Sequence, residues 1–235
     1  MVMSRLEKPR QLPFDLGHVA GYSRDDLIVS PANRQALDFM DQWPEWPSPV
    51  ALLAGPSGAG KSHIAAIWQE VSGAQSVPAN RIAQAVANFD ETPPVLIDDA
   101  DAADLDEAGL FHLINAARAA GSTILLTARR FPAAWGVRLP DLASRLKTAA
   151  IIEIQEPDDL LLAGVMTKLF ADRQVEVDQQ VIQFIVRRIE RSLSTAIRIV
   201  ERLDMAALEQ KTRITRVMAA ETISALDEGQ AEFGI

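Results

Sequence analysis

Residues 50–62 contain a short apolar strand that runs directly into a glycine-rich octet. The strand is Val50–Ala54, and the octet has the pattern G-x-x-x-x-G-K-S, reading Gly55-Pro56-Ser57-Gly58-Ala59-Gly60-Lys61-Ser62. Glycines permit the close approach and the backbone angles that let successive amides converge on an anion. Lys61 supplies a charge for the β- and γ-phosphates, and the Ser62 hydroxyl stands where Mg²⁺ needs an oxygen. The pattern predicts a phosphate-binding loop followed by a helix whose positive dipole end faces the phosphates.

Composition narrows the classes of protein that this chain can belong to. Its 235 residues include no cysteine and carry a formal net charge of −9. Disulfides and thiolate metal sites are therefore excluded, and strong sequence-independent binding to nucleic acid is not expected of so acidic a chain. We find no apolar run long enough to span a membrane and no apolar core of a signal peptide, so a cytoplasmic protein without membrane association is expected.

Strand and helix patterns alternate through the first two thirds of the chain. Helical patterns follow Pro31 and the octet and cover residues 104–120, whereas the closely spaced prolines of residues 43–49 predict a loop. After the octet, strand patterns occupy residues 94–98, 122–127 and 149–154. The alternation predicts an α/β fold with a parallel sheet that is covered by helices on both faces.

Beyond Pro157 the patterns are helical throughout. Helices are predicted over residues 158–173, 178–190, 192–210 and 215–226, with Asp158, Asp178, Ser192 and Thr215 as N-caps. This change of pattern predicts a domain boundary between an α/β nucleotide-binding domain (26–156) and a helical domain (157–235). The residues before them are predicted to form an N-terminal arm (1–25).

The segment Val95-Leu96-Ile97-Asp98-Asp99 is an apolar strand that ends in two carboxylates. After a phosphate-binding loop, this pattern is typical of the second nucleotide-binding element, in which Asp98 holds Mg²⁺ directly or through water. Asp99 then stands where it can orient or activate the attacking water. The alternative is an ordinary strand that ends in Asp at a turn. The acidic run continues, and its members are expected to form a solvated loop and helix start: Asp101, Asp104, Asp106 and Glu107.

Three further residues could contact a γ-phosphate, and each has a structural alternative. Thr127 ends a strand expected beside or near the phosphate-loop strand, where its hydroxyl either approaches the γ-phosphate or merely ends the strand. Arg145 is either a surface charge or an arginine finger offered to a nucleotide on a neighbouring subunit. Arg191, which shares a helix face with Arg198 and Arg202, is either solvated or reaches back to the γ-phosphate.

The order of these features resembles the AAA+ nucleotide-binding module, and within it the DnaA/Hda family, over residues 27–226. The run Leu27–Asn33 is similar to the segment that contacts adenine in that module. The resemblance implies an AAA+ P-loop NTPase core with a parallel sheet and an all-helical lid, which binds ADP or ATP with Mg²⁺. It implies that Ser62 and Asp98 hold the metal, and that Asp99 and Arg145, the latter in trans, are catalytic. The nucleotide ligands that it implies are Gly55, Pro56, Ser57, Gly58, Ala59, Gly60, Lys61, Ser62, His63, Asp98, Thr127 and Arg191. The chain departs from the family pattern after Thr127, where Ala128-Arg129-Arg130 replaces an expected Asp or Asn before an Arg.

The segment Gln11-Leu12-Pro13-Phe14-Asp15-Leu16 lies in the N-terminal arm. Pro13 favours an extended backbone, and apolar anchors beside a glutamine amide suit a hydrophobic pocket on a partner protein. The alternative is an arm that packs on its own domain. The segment resembles the sliding-clamp-binding motif of the Hda branch of the family, which implies clamp contacts by Gln11, Leu12, Phe14 and Leu16. Phe14 and Asp15 depart from the commoner Leu and Pro.

The resemblance further implies an adaptor that binds the sliding clamp and stimulates ATP hydrolysis by the initiator DnaA, so that replication does not start again. Its own hydrolysis is then expected to be weak. The alternatives are an autonomous P-loop ATPase, which would need a pocket for an acceptor near the γ-phosphate, and a helicase-loader-like DnaA paralogue, which would need a basic surface or a DNA-binding domain. The sequence leaves open whether ADP or ATP is the active ligand, how fast the chain hydrolyses ATP, and whether it forms homo-oligomers.

Overall fold

The computed structural model describes Arg24 and residues 27–87 and 93–233, of which residues 227–233 are described by their backbone alone. The described residues form a five-stranded parallel sheet with the strand order β2-β3-β4-β1-β5. The strands are β1 (Val50–Ala54), β2 (Gln75–Ser76), β3 (Val95–Ile97), β4 (Ile124–Ala128) and β5 (Ala150–Glu153). Leu53 lies opposite Thr127 on one side and Ile152 on the other. All strands therefore end at the same edge of the sheet, and this edge carries the candidate site.

Helices cover both faces of this sheet and then continue as a bundle. Those interleaved with the strands are α1 (Arg34–Met40), α2 (Lys61–Ser72), α3 (Ile82–Val86), α4 (Glu107–Ala120) and α5 (Pro140–Leu146), with a 3₁₀ turn at Pro132–Ala134. The helices that follow β5 are α6 (Asp159–Asp172), α7 (Gln179–Val186), α8 (Leu193–Gln210) and α9 (Arg216–Phe233). The predicted α/β alternation and the predicted run of helices after it are both confirmed.

Alternating side chains of β1 enter two different apolar clusters. Leu52 packs in the cluster formed with α4 and α5, whereas Leu53 packs with α1 and α2. In the second cluster the Trp46 ring, from the loop predicted at residues 43–49, stacks between Phe39 and Trp68 with centroid distances of 5.2 and 5.4 Å. Because both faces of β1 are covered, every residue of the strand is buried, as expected for a central strand of a parallel sheet.

A third cluster lies within the bundle of α6 to α9 and includes Phe170, Ile185, Ile199 and Leu203. The helical part of the chain therefore buries its own apolar core beside the sheet. The part of the chain that the structure describes contains no helix long and apolar enough to cross a membrane.

Polar caps set most of the helix starts. The carboxylates of Asp158 and Asp178 accept backbone N–H bonds at α6 and α7, and Ser192 caps α8. The Thr215 hydroxyl accepts a bond of 3.3 Å from the amide of Met218 at the start of α9. Helix α4 begins at Glu107 rather than at 104, because the Asp106 side chain accepts from the amide of Gly109 and ends the loop there.

Candidate functional site

The glycine-rich octet forms the turn between β1 and the first residue of α2. Gly58 and Gly60 have φ values of 73° and 97°, a backbone conformation that favours glycine. The Lys61 side chain is buried against the turn, where its Nζ donates to the carbonyls of Gly55 at 2.9 Å and Pro56 at 2.8 Å. Burial lowers the pKa of Lys61, although the carboxylate of Asp99 opposes this shift. The loop therefore holds a partly desolvated ammonium at the helix N-terminus, as a phosphate site requires.

Three oxygen-bearing side chains meet at the carboxyl ends of the neighbouring strands. The Ser62 hydroxyl donates to Asp98 at 3.1 Å, and the fully buried Thr127 hydroxyl donates to the other oxygen of the same carboxylate. The Thr127 oxygen also accepts a bond of 3.0 Å from the amide of Asp99. They meet because β3, β4 and β1 are adjacent and parallel. Sequence reasoning had named all of them, and the strand order brings them together.

The hydroxyl of Ser62 and the carboxylate of Asp98 are suited to Mg²⁺, a hard cation that prefers oxygen ligands. Among the described residues there is no group of three or more His, Asp or Glu side chains that could hold a metal ion by itself. Magnesium in nucleotide sites takes most of its other ligands from phosphate and water, so a site with one carboxylate and one hydroxyl fits the ion. Bound there, it would neutralise phosphate charge next to Lys61.

Asp99 faces an arginine that the sequence interpretation did not assign to the site. Its φ is 50°, and its carboxylate lies 3.9 Å from Nε of Arg129. Both side chains are more than half exposed, and both line the same cavity as Lys61. The general-base candidate is thus close to a cation, and this contact was signalled only by the position of Arg129 after a strand that ends at the site.

Asp101 is buried, so the expectation that it belongs to a solvated loop was wrong. Its side chain is only 6% exposed and accepts from the backbone amide of Arg129 at 3.2 Å and from Nε of Arg130 at 3.1 Å. The physical reason is that the loop after β3 folds back on the end of β4, where the amide of Arg129 and the guanidinium of Arg130 both reach the carboxylate. Asp101 therefore joins the two loops that carry Asp99 and Arg129.

A cavity of about 380 Å³ extends from the octet to the helical bundle. Its phosphate end is formed by residues 57–64 of the octet and α2, with Asp99 and Arg129. Its other end has the apolar lining residues Leu27, Ile28, Leu161, Val165, Leu169 and Ile197. Four charged residues of the bundle also line the cavity, and these are Lys168, Asp172, Arg173 and Glu201. Gly55 and Pro56 line a neighbouring cavity. An apolar slot that adjoins a phosphate loop is chemically suited to the base of a nucleotide.

The segment before α1 is folded so that Ile28 faces the cavity. The buried Asn33 amide donates to the carbonyl of Ile28 at 2.8 Å, and its oxygen accepts from the amide of Ser30 at 2.9 Å. On the bundle side Gly164 allows close approach, because a Cβ there would lie 2.9 Å from a methyl group of Ile28. The segment predicted to contact adenine is thus packed directly against α6.

The start of α8 rests on the octet itself. The amide of Leu193 donates to the carbonyl of Gly58 at 2.8 Å. A Cβ at Gly58 would lie 2.2 Å from the hydroxyl oxygen of Ser192, so only glycine permits this contact. The helical bundle is therefore in direct contact with the loop that would hold the phosphates.

Two predicted arginines lie away from this cavity. The guanidinium of Arg191 is paired with Asp159 at 3.0 Å and donates to the carbonyl of Pro157 at 3.4 Å, and Arg191 does not line the cavity. Arg145 lies half-buried in the last turn of α5 and is likewise absent from the cavity lining. The predicted clamp-contacting residues, Gln11, Leu12, Phe14 and Leu16, lie outside the described residues.

Sequence reasoning missed the bundle side of the cavity, formed by Leu161, Val165 and Leu169 of α6 and by Ile197 of α8. These positions read as one apolar face of an amphipathic helix, and that face has the same pattern whether it packs in a core or lines a site.

Comparison with known proteins agrees with this architecture. Residues 165–218 match the family model of the Hda lid domain. An uncharacterised protein of Haemophilus influenzae is 26% identical over 211 residues, which cover 83% of this chain and 87% of that protein. Domain III of the Thermotoga maritima replication initiation protein DnaA superposes with a TM-score of 0.74 at 15% identity, covering 87% of this chain and 96% of that one. AMPPCP-bound DnaA from Aquifex aeolicus superposes with a TM-score of 0.63 at 19% identity, covering 80% of this chain and 65% of that one.

At these sequence identities the structural likeness shows the fold. The parallel sheet with β1 between β4 and β5, the octet between β1 and α2, and the helices after β5 match the DnaA fold, and the helical part matches the Hda lid. The chain therefore has the DnaA-like AAA+ fold, and its residues 165–218 match the Hda lid domain.

Proposed function

We propose that this protein is a nucleotide-bound AAA+ adaptor that limits replication initiation by binding the DNA polymerase sliding clamp and stimulating ATP hydrolysis by DnaA. The observation that carries the proposal is the match of residues 165–218 to the Hda lid within a chain that has the DnaA fold. The formal net charge of −9 agrees with a role that does not depend on strong direct contact with DNA.

The chain's own site would hold ADP or ATP. The octet amides and Lys61 would bind the phosphates, while Ser62 and Asp98 would take the Mg²⁺ that screens their charge. The base would enter the apolar end of the cavity against Ile28 and Val165. Because α8 rests on Gly58, an occupied loop would favour one orientation of the bundle and of the surface that it shows to a partner.

Arg145 would act on a nucleotide held by DnaA rather than on the chain's own nucleotide. It lies in the last turn of α5, whose Leu142 and Leu146 are fully buried in the core, and it does not line the chain's own cavity. An arginine presented from a rigid helix can stabilise the charge that develops in phosphoryl transfer. The short helix would thus place the finger with little freedom to move.

The N-terminal arm would dock on the clamp through Gln11, Leu12, Phe14 and Leu16. An extended segment with alternating apolar anchors binds a surface pocket by inserting those side chains. Docking would place the adaptor where DnaA meets newly replicated DNA, in the cytoplasm. Deleting residues 11–16 should abolish clamp binding and leave ADP binding intact, and retained clamp affinity would show that the contact lies elsewhere.

The decisive assay is single-turnover hydrolysis of ATP preloaded on DnaA, with DNA-loaded clamp present. Arg145→Ala should remove the stimulation, on the order of a thousandfold in rate if the arginine acts as fingers do in GTPases, without changing clamp or ADP binding. Arg145→Lys should not restore it, because a lysine lacks the planar fork. Full stimulation by Arg145→Ala would contradict the proposal. If this chain alone hydrolysed ATP as fast as the mixture with DnaA, an autonomous ATPase would be favoured instead.

A further inference from the structure

We propose that Arg129 is the specificity-determining residue by which the chain's own site distinguishes a nucleoside triphosphate from a diphosphate. Arg129 would bind the γ-phosphate when it is present and pair with Asp99 when it is absent. The inference deepens the proposed function, since it rests on nucleotide binding at this site. The inference goes beyond the resemblance, which implies Thr127 rather than Arg129 as the nucleotide ligand at the end of this strand.

The position of Arg129 follows from the groups around it. Ser62 and Asp98 meet at 3.1 Å and would hold the metal, which would neutralise charge at the β- and γ-phosphates. Asp99 is the next residue along the chain, and Arg129 lies 3.9 Å from it within the same cavity lining. The Arg129 guanidinium is therefore at the γ-phosphate end of the cavity, away from the apolar end.

The backbone of Arg129 is held firmly while its side chain is not. The buried carboxylate of Asp101 accepts the Arg129 amide at 3.2 Å, and the amide of Ala100 donates to the carbonyl of Thr127 at 2.8 Å. The Arg129 side chain itself is 62% exposed and touches Asp99 only at a long distance. The loop is thus fixed, and a rotamer change of one side chain is enough to move the guanidinium from carboxylate to phosphate.

Electrostatics favour this exchange when a third phosphate is present. An exposed ion pair such as Arg129–Asp99 contributes little, whereas a guanidinium binds a phosphate by strong, frequently bidentate hydrogen bonds. The proximity of Arg129 also adds to the lowering of the Lys61 pKa, because the two cations repel each other. A γ-phosphate between them relieves that repulsion, and a diphosphate would leave Arg129 with Asp99.

The test is to measure by calorimetry, with Mg²⁺, the affinities of the full chain for AMPPCP and for ADP. Arg129→Ala should weaken AMPPCP binding about ten- to hundredfold, the range expected for hydrogen bonds to a charged group, and change ADP binding less than about threefold. The AMPPCP affinity of Arg129→Lys should lie between those of the wild type and of Arg129→Ala. Arg138→Ala removes one positive charge at a side chain that is 93% exposed, and it controls for the change in net charge.

A double-mutant cycle separates this role from a merely structural one. Asp99→Asn should strengthen AMPPCP binding in the wild-type background, and strengthen it less when Arg129 is already alanine, because part of the gain comes from releasing Arg129. Equal losses of AMPPCP and ADP affinity in Arg129→Ala, or unchanged values for both, would overturn the inference while nucleotide binding stands. Failure of the wild-type protein to bind either ligand would overturn the proposed nucleotide site as well.

Discussion

The two ends of the cavity are built from different parts of the molecule and held in different ways. The phosphate end comes from the octet and the ends of β3 and β4, and its side chains are joined by hydrogen bonds, such as those of Asp98 with Ser62 and Thr127. The apolar end is shared between the segment at Ile28 and the helices α6 and α8, which meet it by packing. The groups that would bind phosphate and metal thus lie on the sheet side, whereas the bundle contributes the apolar side chains together with charged residues of its own.

This difference predicts how each end should respond to change. Substitutions at the phosphate end should act through charge and should discriminate between ligands with different phosphates. Those at the apolar end should act equally on every adenine nucleotide, because all share the same base. Substitutions at Gly58, where the bundle rests on the octet, should affect both ends of the cavity.

Removing the ammonium of the octet should have the largest effect. Lys61→Ala should lower the affinity for ADP and for AMPPCP by on the order of a hundredfold, because the phosphates lose a charge-assisted donor in a partly desolvated site. Lys147→Ala, at an exposed position, is the control for net charge. Calorimetry that finds ADP affinity unchanged in Lys61→Ala would place the phosphates somewhere other than the octet.

The contact between the octet and the bundle can be tested with two closely matched variants, of which only one disturbs the contact. Gly58→Ala and Gly73→Ala both place a side chain at positive φ, 73° and 66°, at a cost of about 1–2 kcal/mol each. Only at Gly58 would the Cβ also collide with Ser192, because nothing lies within 4 Å of a Cβ at Gly73. Urea unfolding should therefore show a further loss of about 1–3 kcal/mol for Gly58→Ala. Equal losses in the two variants would mean that the bundle can move off the loop without cost.

Trimming the apolar end should give a smaller effect that does not depend on phosphate number. Val165→Ala removes two methyl groups from the cavity lining, and about 0.8 kcal/mol per buried group predicts up to about a tenfold loss of affinity. The loss should be the same for ADP and AMPPCP, in contrast to that of Arg129→Ala. Val217→Ala, at a side chain that is 67% exposed, is the control. A preference for either nucleotide in Val165→Ala would show that the two ends are not independent.

The smallest effect is expected at Arg191. Its pair with Asp159 is half-exposed on both sides, so Arg191→Ala should reduce the free energy of unfolding by less than about 1 kcal/mol. Because Arg191 does not line the cavity, Arg191→Ala should change the AMPPCP affinity little. The control is Arg202→Ala, at an exposed arginine of the same bundle, and the affinities of the two variants should agree within about threefold. A loss greater than about tenfold would show that Arg191 turns to the γ-phosphate when the nucleotide binds, as the family resemblance implied.

The parts of the fold and site that could be predicted are those encoded by neighbouring residues. The octet, the strand that ends in Asp98-Asp99 and the caps at Asp158 and Asp178 each lie within a few residues, and their chemistry depends on that local spacing. The prediction that the strand ending in Thr127 lies beside or near the phosphate-loop strand is also confirmed, because β4 pairs with β1 in parallel. The predicted fold, an AAA+ core followed by a helical lid, is confirmed by the likeness to the DnaA fold and by the match to the Hda lid.

Other features depend on which loops come together, and local spacing does not contain that information. Asp101 lies in an acidic run that reads as solvated, yet it is buried because the end of β4 brings two donors to it. Arg129 reads as a departure from a motif, and its contact with Asp99 exists only because β3 and β4 are neighbours.

The sequence by itself therefore predicted the class of ligand, through the octet, and determined the class of fold, through the alternation of strands and helices and the helical run after Pro157. Only the tertiary structure decided which helix residues face the cavity and which arginine stands at its phosphate end. The physical reason is that phosphate binding uses amides and a lysine within one turn of chain, whereas Val165 and Arg129 reach the cavity by packing between segments far apart in sequence. Such packing places an apolar or charged side chain in a site as readily as in a core or on a surface, with the same local pattern in each case.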